Sequence, residues 1–398
     1  MKKWALSFGV VALFVMLLGG SINPFPAEAQ SKQVKIGVLM PLTGPLTLSG
    51  TLTCNGIKLA ADEINAKGGV NIRGEKHTVD LVIYDTKCVP KDSATATERL
   101  IIRDKVPLIL GDFCSSCCFV DAPVADKHKT VFITPVCAAG GLTKQGFKYF
   151  FRMGVHNFSG VITMMELLRQ EGIKKVVLIA INDAWGRSYT DLYPPALKEA
   201  GFELVGVEYF EHGQKDYYTL LTKAKGMNPD GLLVCAEMED FAPMVIQARE
   251  IMPGKKIVET GGSDLSQILK LVGPQKAEGL KSVSRMPPPT PEIETFNEAY
   301  RKKFGSEAGS FSYSGRDSLY LAAKALEKAG TLTDPEAIRA AVSSTELNGF
   351  IGHYYFDAKG ENYIPLGIHQ VEGGKIKYSW IGDRGKMEAA IKKLIDKK

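Results

Sequence analysis

The sequence predicts an α/β fold built from two units, and three observations carry that prediction. Short runs rich in β-branched residues alternate with longer amphipathic segments, as in parallel strands joined by crossover helices. This alternation restarts after Phe150-Phe151-Arg152. The 398 residues, 45% of them hydrophobic, suffice for two cores of ordinary domain size. We therefore expect two Rossmann-like lobes with parallel-sheet cores and a cleft between them.

The individual elements follow from the period of their apolar residues. In the first half we expect strands at 34–39, 79–84, 108–110 and 131–133, and helices at 50–67, 94–103 and about 117–127. Gly68-Gly69 is the stop signal after the first helix. In the second half we expect strands at 175–181, 203–209, 231–235 and 256–259, and helices at 161–170, 188–200, 218–225 and 241–251. The stiff Pro287–Pro289 run then leads to helices at 293–304 and 317–329, β-like runs at 352–356, 364–371 and 375–380, and a Lys-rich helical tail from Lys386.

Residues 1–29 are predicted to be a secretory signal peptide that is cleaved after Ala29. Lys2 and Lys3 precede an apolar run from Trp4 to Leu18, and Ala27-Glu28-Ala29 supplies the small residues of a cleavage site. A membrane anchor is the alternative, but the run is shorter than the roughly 20 residues that a span needs. We expect the mature chain in the periplasm.

The stretch Gly111–Cys118 is the most informative segment for function. It follows the apolar run 106–110, so a buried strand ends in small hydroxyl residues at the start of a helix. Open α/β proteins hold small ligands at such points, where the helix offers free backbone N–H groups. Ser115 and Ser116 add hydroxyls, and no general base lies nearby. This pattern predicts binding and not catalysis.

The seven cysteines of an exported chain predict at least one disulfide. Cys88 and Cys114 each follow a predicted strand, and we favour a bridge between them. The spacing Cys114-Ser115-Ser116-Cys117 is also that of a thiol redox motif, so a reactive Cys114/Cys117 pair is the alternative.

The other cysteines are expected to be buried small apolar residues: Cys54, Cys117, Cys118, Cys137 and Cys235. A Cys54–Cys118 bridge is the alternative for two of them. A thiolate metal site is not favoured, because the cysteines around position 114 lack paired spacing and a neighbouring His.

Two further side chains fall where the second unit would face the cleft. Trp185 follows the strand at 175–181 and is either a cavity wall or ordinary packing. Glu237 follows the strand at 231–235 and is either a ligand contact or a solvated acid. None of the six His residues has a recognisable catalytic spacing, and Gly-rich phosphate loops do not occur. We expect no cofactor, no metal and no enzymatic activity.

Short motifs extend this interpretation along almost the whole mature chain. They are Ile36-Gly37-Val38-Leu39, Leu42-Thr43-Gly44-Pro45, Gly56-Ile57-Lys58-Leu59-Ala60-Ala61, Ile64-Asn65-Ala66-Lys67-Gly68-Gly69, Tyr84-Asp85, Thr134-Pro135, Lys215-Asp216-Tyr217, Asn228-Pro229-Asp230 and Phe356-Asp357 with Gly360. Together they resemble the extracytoplasmic solute-binding proteins of ABC importers, specifically the leucine/isoleucine/valine-binding family with the type I periplasmic binding fold.

The resemblance implies two discontinuous lobes joined by a hinge of three crossovers. One lobe comprises residues 31–154 plus 285–347, and the other comprises 155–284 plus 348–398. The resemblance also implies the Cys88–Cys114 disulfide. The implied ligand contacts are Ser49, Phe113, Ser115, Val136, Cys137, Ala138, Trp185, Glu237 and Phe311.

Each implied contact has a chemical role. Ser115 would donate to a ligand carboxylate with the backbone N–H groups of Ser116 and Ala138, and the Val136 carbonyl would accept from an ammonium. The aromatic side chains would wall the pocket. The sequence departs from the family pattern where it has Ala138 in place of Thr and Glu237 in place of Tyr. In the family, the acid that holds the ammonium falls near 261–264 of this sequence. If Asp264 or Glu237 takes that role, an amino acid fits the site; if neither does, the expected solute is one without an ammonium.

The resemblance implies a receptor that closes its lobes on a small polar solute, with a branched-chain or related amino acid as the leading guess. Its partner would be the membrane permease of an ABC importer. An exported thiol-disulfide oxidoreductase using Cys114 and Cys117 is one alternative, and a sensory ligand-binding module is another. Nucleic-acid binding is not indicated, because 49 Lys and Arg against 44 Asp and Glu are spread without a basic block.

Overall fold

A computed structural model describes residues 32–379, which form a mixed α/β protein with two main sheets. The predicted signal peptide and the Lys-rich tail from Lys386 lie outside the described residues. Between residues 32 and 379, no helix combines the length and the apolar character that crossing a membrane requires.

The first sheet takes its strands from the N-terminal half of the described chain. These strands are β1 (Lys32–Met40), β2 (Val70–Ile72), β3 (Glu75–Asp85), β4 (Leu108–Leu110), β5 (Val131–Thr134) and β6 (Phe150–Arg152). Their order is β2-β3-β1-β4-β5-β6, and all neighbours are parallel except β2 and β3. The crossover helices are α1 (Thr47–Ala66), α2 (Pro90–Glu98) and α3 (Ser115–Lys127). All residues of β4 and β5 are buried, because helices cover both faces of a parallel sheet.

The second sheet is formed by β7 (Lys175–Ile181), β8 (Glu203–Phe210), β9 (Gly231–Cys235), β10 (Lys256–Glu259), β11 (Lys281–Ser284), β14 (Gly367–Glu372) and β15 (Lys375–Ser379). The order is β15-β14-β11-β10-β9-β7-β8. Strand β14 is antiparallel to both β11 and β15, and the other neighbours are parallel. Its helices are α4 (Asn157–Gln170), α5 (Ala184–Glu199), α6 (Tyr218–Gly226), α7 (Met238–Ile251), α8 (Leu265–Val272) and α9 (Pro274–Ala277).

Three later helices return to the first sheet: α10 (Pro291–Phe304), α11 (Ser310–Ala329) and α12 (Pro335–Ser343). Helix α11 packs closely on α1, and two glycines permit this approach. A Cβ on Gly56 would lie 2.0 Å from the carbonyl oxygen of Ser312, and one on Gly315 would lie 2.1 Å from that of Thr53. A short hairpin of β12 (Leu347–Asn348) and β13 (His353–Tyr354) follows. The chain therefore passes between the two sheets three times before it ends in β14 and β15.

Two strands near these crossings are shorter in the structure than the sequence predicts. The strand expected at 352–356 is reduced to two residues, and the strand expected at 364–371 begins only at Gly367. The intervening loop is held by side chains, because Glu361 forms a buried ion pair with Arg152 and Asn362 donates to the Met153 carbonyl at 3.3 Å. These contacts hold the backbone of this loop in an irregular conformation, although the apolar pattern of the sequence predicts a strand there.

The structure also corrects the prediction of how the cysteines pair. Cys88 pairs with Cys114, but the suggested Cys54–Cys118 bridge is wrong, since Cys118 pairs with Cys137 and Cys54 is a buried thiol. The alternative redox pair is also not formed, because the Cys114 sulfur is already bonded to Cys88. Burial further raises the pKa of the Cys117 thiol, which disfavours a reactive thiolate there.

Candidate functional site

A cavity lies at the carboxyl ends of strands from both sheets. In open α/β folds this edge is the usual ligand site. The residues that line the cavity are Phe113, Ser115, Val136, Ala138, Trp185, Glu237, Gly262, Arg285 and Phe311. Four of them follow β4 and β5 of the first sheet, and four follow β7, β9, β10 and β11 of the second.

Ser115 is the first residue of α3, directly after the β4 loop. Its Oγ accepts from the backbone N–H groups of Ala138 and Ala139, both at 3.3 Å. Within residues 32–379 its hydroxyl proton has no protein acceptor, so it is free to donate to a ligand. The positive end of the helix dipole adds to this preference for an anionic group.

Glu237 is the N-cap residue of α7 and is only 6% exposed. Its Oε2 atom is buried and has no hydrogen-bond partner among the described residues. Burial raises the pKa of this carboxyl well above its usual range, and the nearby His212 only partly opposes that effect. A buried carboxylate without a partner is costly, so this oxygen is suited to a ligand cation.

His212 lies behind Glu237 and joins two buried or half-buried acids. Its Nδ1 is 3.2 Å from Asp240 Oδ2, and its Nε2 is 3.3 Å from Asp183 Oδ2. Burial alone lowers the pKa of His212, but the hydrogen bonds to the two aspartates outweigh it and raise the pKa to about 11. His212 is therefore an imidazolium at neutral pH, and it fixes the loops after β7 and β8 relative to α7.

Aromatic side chains form the apolar walls of the cavity. The Phe113 and Phe311 rings meet edge to face with centroids 5.0 Å apart. Trp185 is 7% exposed, and its Nε1 donates to Asn157 Oδ1 at 3.2 Å. Gly262 leaves room for this ring, because a Cβ there would lie 2.4 Å from Trp185 Cη2. The orientation of the indole is thus fixed on two sides.

Arg285 and Gly262 are the lining residues that the sequence did not indicate. Arg285 follows β11, donates through Nη2 to the Gly261 carbonyl at 3.2 Å, and places its guanidinium 5.0 Å from the Phe311 centroid. Its Nη1 is buried and has no partner among the described residues. Burial lowers the pKa of Arg285, yet a guanidinium stays charged in a protein.

Seven of the eleven predicted ligand contacts line the cavity, and four have other partners: Ser49, Ser116, Cys137 and Asp264. Ser116 Oγ accepts from the Ala184 N–H at 3.3 Å. The sulfur of Cys137 is bonded to Cys118. Asp264 caps α8 by accepting from the Ser266 N–H at 3.0 Å, and it also accepts from the Ser310 N–H at 3.2 Å. Of the two candidate ammonium acceptors, only Glu237 lies at the cavity.

Ser49 instead forms hydrogen bonds with Glu239, which lies beside the second sheet. Its N–H and its hydroxyl each donate to Glu239, at 2.8 Å to Oε1 and 2.8 Å to Oε2. Ser49 lies on α1 beside the first sheet, and Glu239 lies in the first turn of α7 beside the second. This pair therefore joins the two sides of the cavity without lining it.

Among the described residues, two side-chain groups have ligand atoms close enough together to hold a metal ion. In the group of His212, Glu237 and Asp240, both ring nitrogens of the histidine already face carboxylates. In the other group, the sulfurs of Cys88 and Cys114 form a disulfide beside Cys117. Glu237 and Cys117 are thus the members with a free ligand atom, and one such atom is too few for a metal centre.

A cavity at the carboxyl ends of the strands of two α/β sheets, lined by both polar and aromatic side chains, is the arrangement of a solute-binding site. The chain belongs to the periplasmic binding protein family, whose model matches residues 33–375. That family consists of solute-binding proteins that act outside the cytoplasm, and the fold is the type I periplasmic binding fold that the sequence predicted.

Relatives agree with this assignment over nearly the whole chain. An amino acid binding protein of Pseudomonas aeruginosa is 28% identical over 97% of this chain and 99% of its own length. A leucine-, isoleucine-, valine-, threonine- and alanine-binding protein of the same organism is 25% identical over 82% of this chain and 87% of its own. The isoleucine complex of a branched-chain amino acid transporter substrate-binding protein from Streptococcus pneumoniae superposes with a TM-score of 0.78, at 26% identity, over 88% of this chain and 99% of that one.

Proposed function

We propose that this protein is the substrate-binding component of an ABC importer and that it captures a small α-amino acid. The observation that carries the choice of an amino acid is the placement of Ser115 and Glu237 on one cavity. A helix start with a free hydroxyl suits an anion, and a buried carboxylate oxygen without a partner suits a cation. An α-amino acid presents both groups.

Different lining residues would contact different groups of the ligand. Ser115 would donate to the α-carboxylate at the start of α3, with the Ser116 and Ala138 N–H groups close by. Glu237 would accept from the ammonium, whose charge favours the ionised carboxylate despite the raised pKa, and the Val136 carbonyl would accept a second ammonium hydrogen. Phe113, Trp185 and Phe311 would enclose the ligand side chain. The names of the relatives, which bind branched-chain and other amino acids, support this class of ligand.

Capture would follow from closure of two lobes around the cavity. The proposed lobes are residues 31–154 plus 285–347 and residues 155–284 plus 348–398, with the hinge at the three crossings. The closed form would then dock on a membrane permease, and the mature chain would begin after cleavage behind Ala29. A cavity shared between two sheet systems supports such a hinge mechanism.

The test is a binding screen of the purified mature protein by thermal shift, followed by calorimetry. A set of α-amino acids, their decarboxylated amines and their deaminated acids would be compared. We expect stabilisation only by compounds that carry both groups, and loss of binding in Glu237→Gln. Glu250→Gln, on the exposed end of the same helix, is the matched control. Stabilisation by the deaminated acids as strong as that by the amino acids would exclude the proposed role of Glu237.

A further inference from the structure

Arg285 is a charged residue of the cavity for which the chain itself offers no counter-ion. Within residues 32–379 it forms no ion pair, and its one hydrogen bond is to the Gly261 carbonyl. Arg285 is half-buried and its Nη1 atom is fully buried, so a charge held there without an ion-pair partner favours an anion at contact distance. The α-amino acid assignment above does not use this residue.

The acids nearest to Arg285 are already engaged. Glu259 accepts from the N–H groups of Gly261 at 2.9 Å and Gly262 at 2.7 Å, and from the Ser282 hydroxyl at 2.6 Å. Asp264 caps α8 and accepts from Ser310. Both carboxylates are thus occupied by backbone and hydroxyl donors and neither contacts Arg285 Nη1, which leaves that group available to an anion of the solute.

Strand order separates this cation from the ammonium site. Glu237 follows β9 and Arg285 follows β11, with β10 between them, so the two strand ends are about 10 Å apart. The ammonium and the carboxylate of an α-amino acid are bonded to the same carbon atom. Ser115 follows β4 of the first sheet, whereas Arg285 follows β11 of the second. With the ammonium at Glu237 and the α-carboxylate at Ser115, the group left to contact Arg285 is the ligand side chain.

Arg285 also borders a second pocket, which shares Ala138 and Trp185 with the first cavity. Its guanidinium lies 5.0 Å from the Phe311 centroid, and its Nη1 atom is buried without a partner among the described residues. Arg285 is therefore placed at the boundary of the two spaces.

We propose that Arg285 binds a carboxylate on the ligand side chain, so that the preferred solutes are acidic α-amino acids of the glutamate type. This inference rests on the proposed function and deepens it by naming the side-chain class. It also distinguishes this chain from relatives named for leucine, isoleucine and valine.

The experiment measures Kd by calorimetry for L-glutamate, L-glutamine and L-leucine with the wild-type protein, Arg285→Met and Arg285→Lys. We expect the wild type to bind glutamate most tightly. Arg285→Met should lose about 10- to 100-fold in glutamate affinity, the range of a charge-assisted hydrogen bond, and should no longer distinguish glutamate from glutamine. Arg285→Lys should recover part of the preference, because it keeps the charge but not the planar donor pair.

Thermal unfolding without ligand controls for a purely structural role. Arg285→Met should unfold at the wild-type temperature or above, because it removes a half-buried charge that has no ion-pair partner among residues 32–379. A large drop in Tm would show that Arg285 stabilises the fold and would count against the proposal.

Two binding results would overturn the inference while leaving the proposed function intact. One is wild-type leucine binding as tight as glutamate binding with no effect of Arg285→Met. The other is an equal loss of all three amino acids in Arg285→Met, which would assign Arg285 to the α-carboxylate. Failure of the wild type to bind any α-amino acid would instead overturn the proposed function and this inference together.

Discussion

Glu239→Gln should weaken ligand binding although Glu239 does not line the cavity. The carboxylate of Glu239 accepts two hydrogen bonds from Ser49, one from the backbone N–H and one from the hydroxyl, both at 2.8 Å. Ser49 is fully buried in this arrangement. If the lobes open between ligand-binding cycles, this pair is broken in the open form and made again in the closed form.

The structure sets the size of the effect. Glutamine keeps one acceptor oxygen but turns an amide NH₂ towards one of the two Ser49 donors, so one charge-assisted hydrogen bond is lost. Such a bond contributes about 1.5 to 3 kcal/mol. When a ligand binds only the closed form, a penalty on closure appears in full in the measured affinity. A loss of about 2 kcal/mol corresponds to a Kd that is higher by about 30-fold.

Calorimetry gives the Kd, and stopped-flow fluorescence of Trp185 separates the rates. We expect most of the change in koff, since the pair forms after the ligand has entered. Glu250→Gln in the same helix is the control, because its carboxylate contacts only Tyr218 and Lys276 on the outside of the protein. An affinity for Glu239→Gln within twofold of wild type would refute the argument that the Ser49–Glu239 pair stabilises the closed form.

Three further predictions concern single contacts. Ser115→Ala should cost about 1.5 to 3 kcal/mol of ligand binding, the value of a hydrogen bond to a carboxylate, and calorimetry showing unchanged affinity would remove Ser115 from the site. The folded pKa of His212, about 11, is above its unfolded value, so its contribution to stability is complete below about pH 6.5 and declines as the pH rises towards 11. Between pH 7 and 9, the free energy of unfolding measured with urea should therefore fall less in His212→Gln than in the wild type, by up to about 3 kcal/mol. An equal fall in the two proteins would contradict this. Replacing Cys88 and Cys114 by Ala should lower the free energy of unfolding by about 3.5 kcal/mol, from a sequence separation of 26 residues, and an unchanged urea midpoint would argue against the bridge.

The regular part of the fold could be predicted from the sequence because helices and strands of parallel sheets have long, strongly periodic patterns. The strand β7, for example, was predicted at the residues where it occurs. The three-residue strands β2 and β6 and the four-residue β11 were not predicted, because they are too short to show a period and each contains a polar residue. The strand β4 is equally short but was predicted, since it consists of apolar residues alone.

The site was predictable where a side chain directly follows a recognised strand. Phe113, Ser115, Trp185 and Glu237 all do so, and all line the cavity. Arg285 was missed for the same reason that β11 was missed: without the strand, the residue looks like the start of the proline-rich connector. Nothing local in the sequence reveals that its guanidinium is buried or that Asp264 is already engaged by α8 and α11. Both facts depend on the packing of elements that are distant in the chain.

The unsatisfied groups of the cavity suggest why closure would depend on ligand. In the structure Glu237 is buried and Arg285 is half-buried, and each has one buried polar atom without a partner among the described residues. Bringing two such groups out of water without partners costs several kcal/mol, whereas the Ser49–Glu239 bonds return only part of that cost. The empty protein should therefore favour an open form in which water solvates both groups. A solute that supplies an ammonium and a carboxylate satisfies them at once, so its binding energy shifts the equilibrium to the closed form.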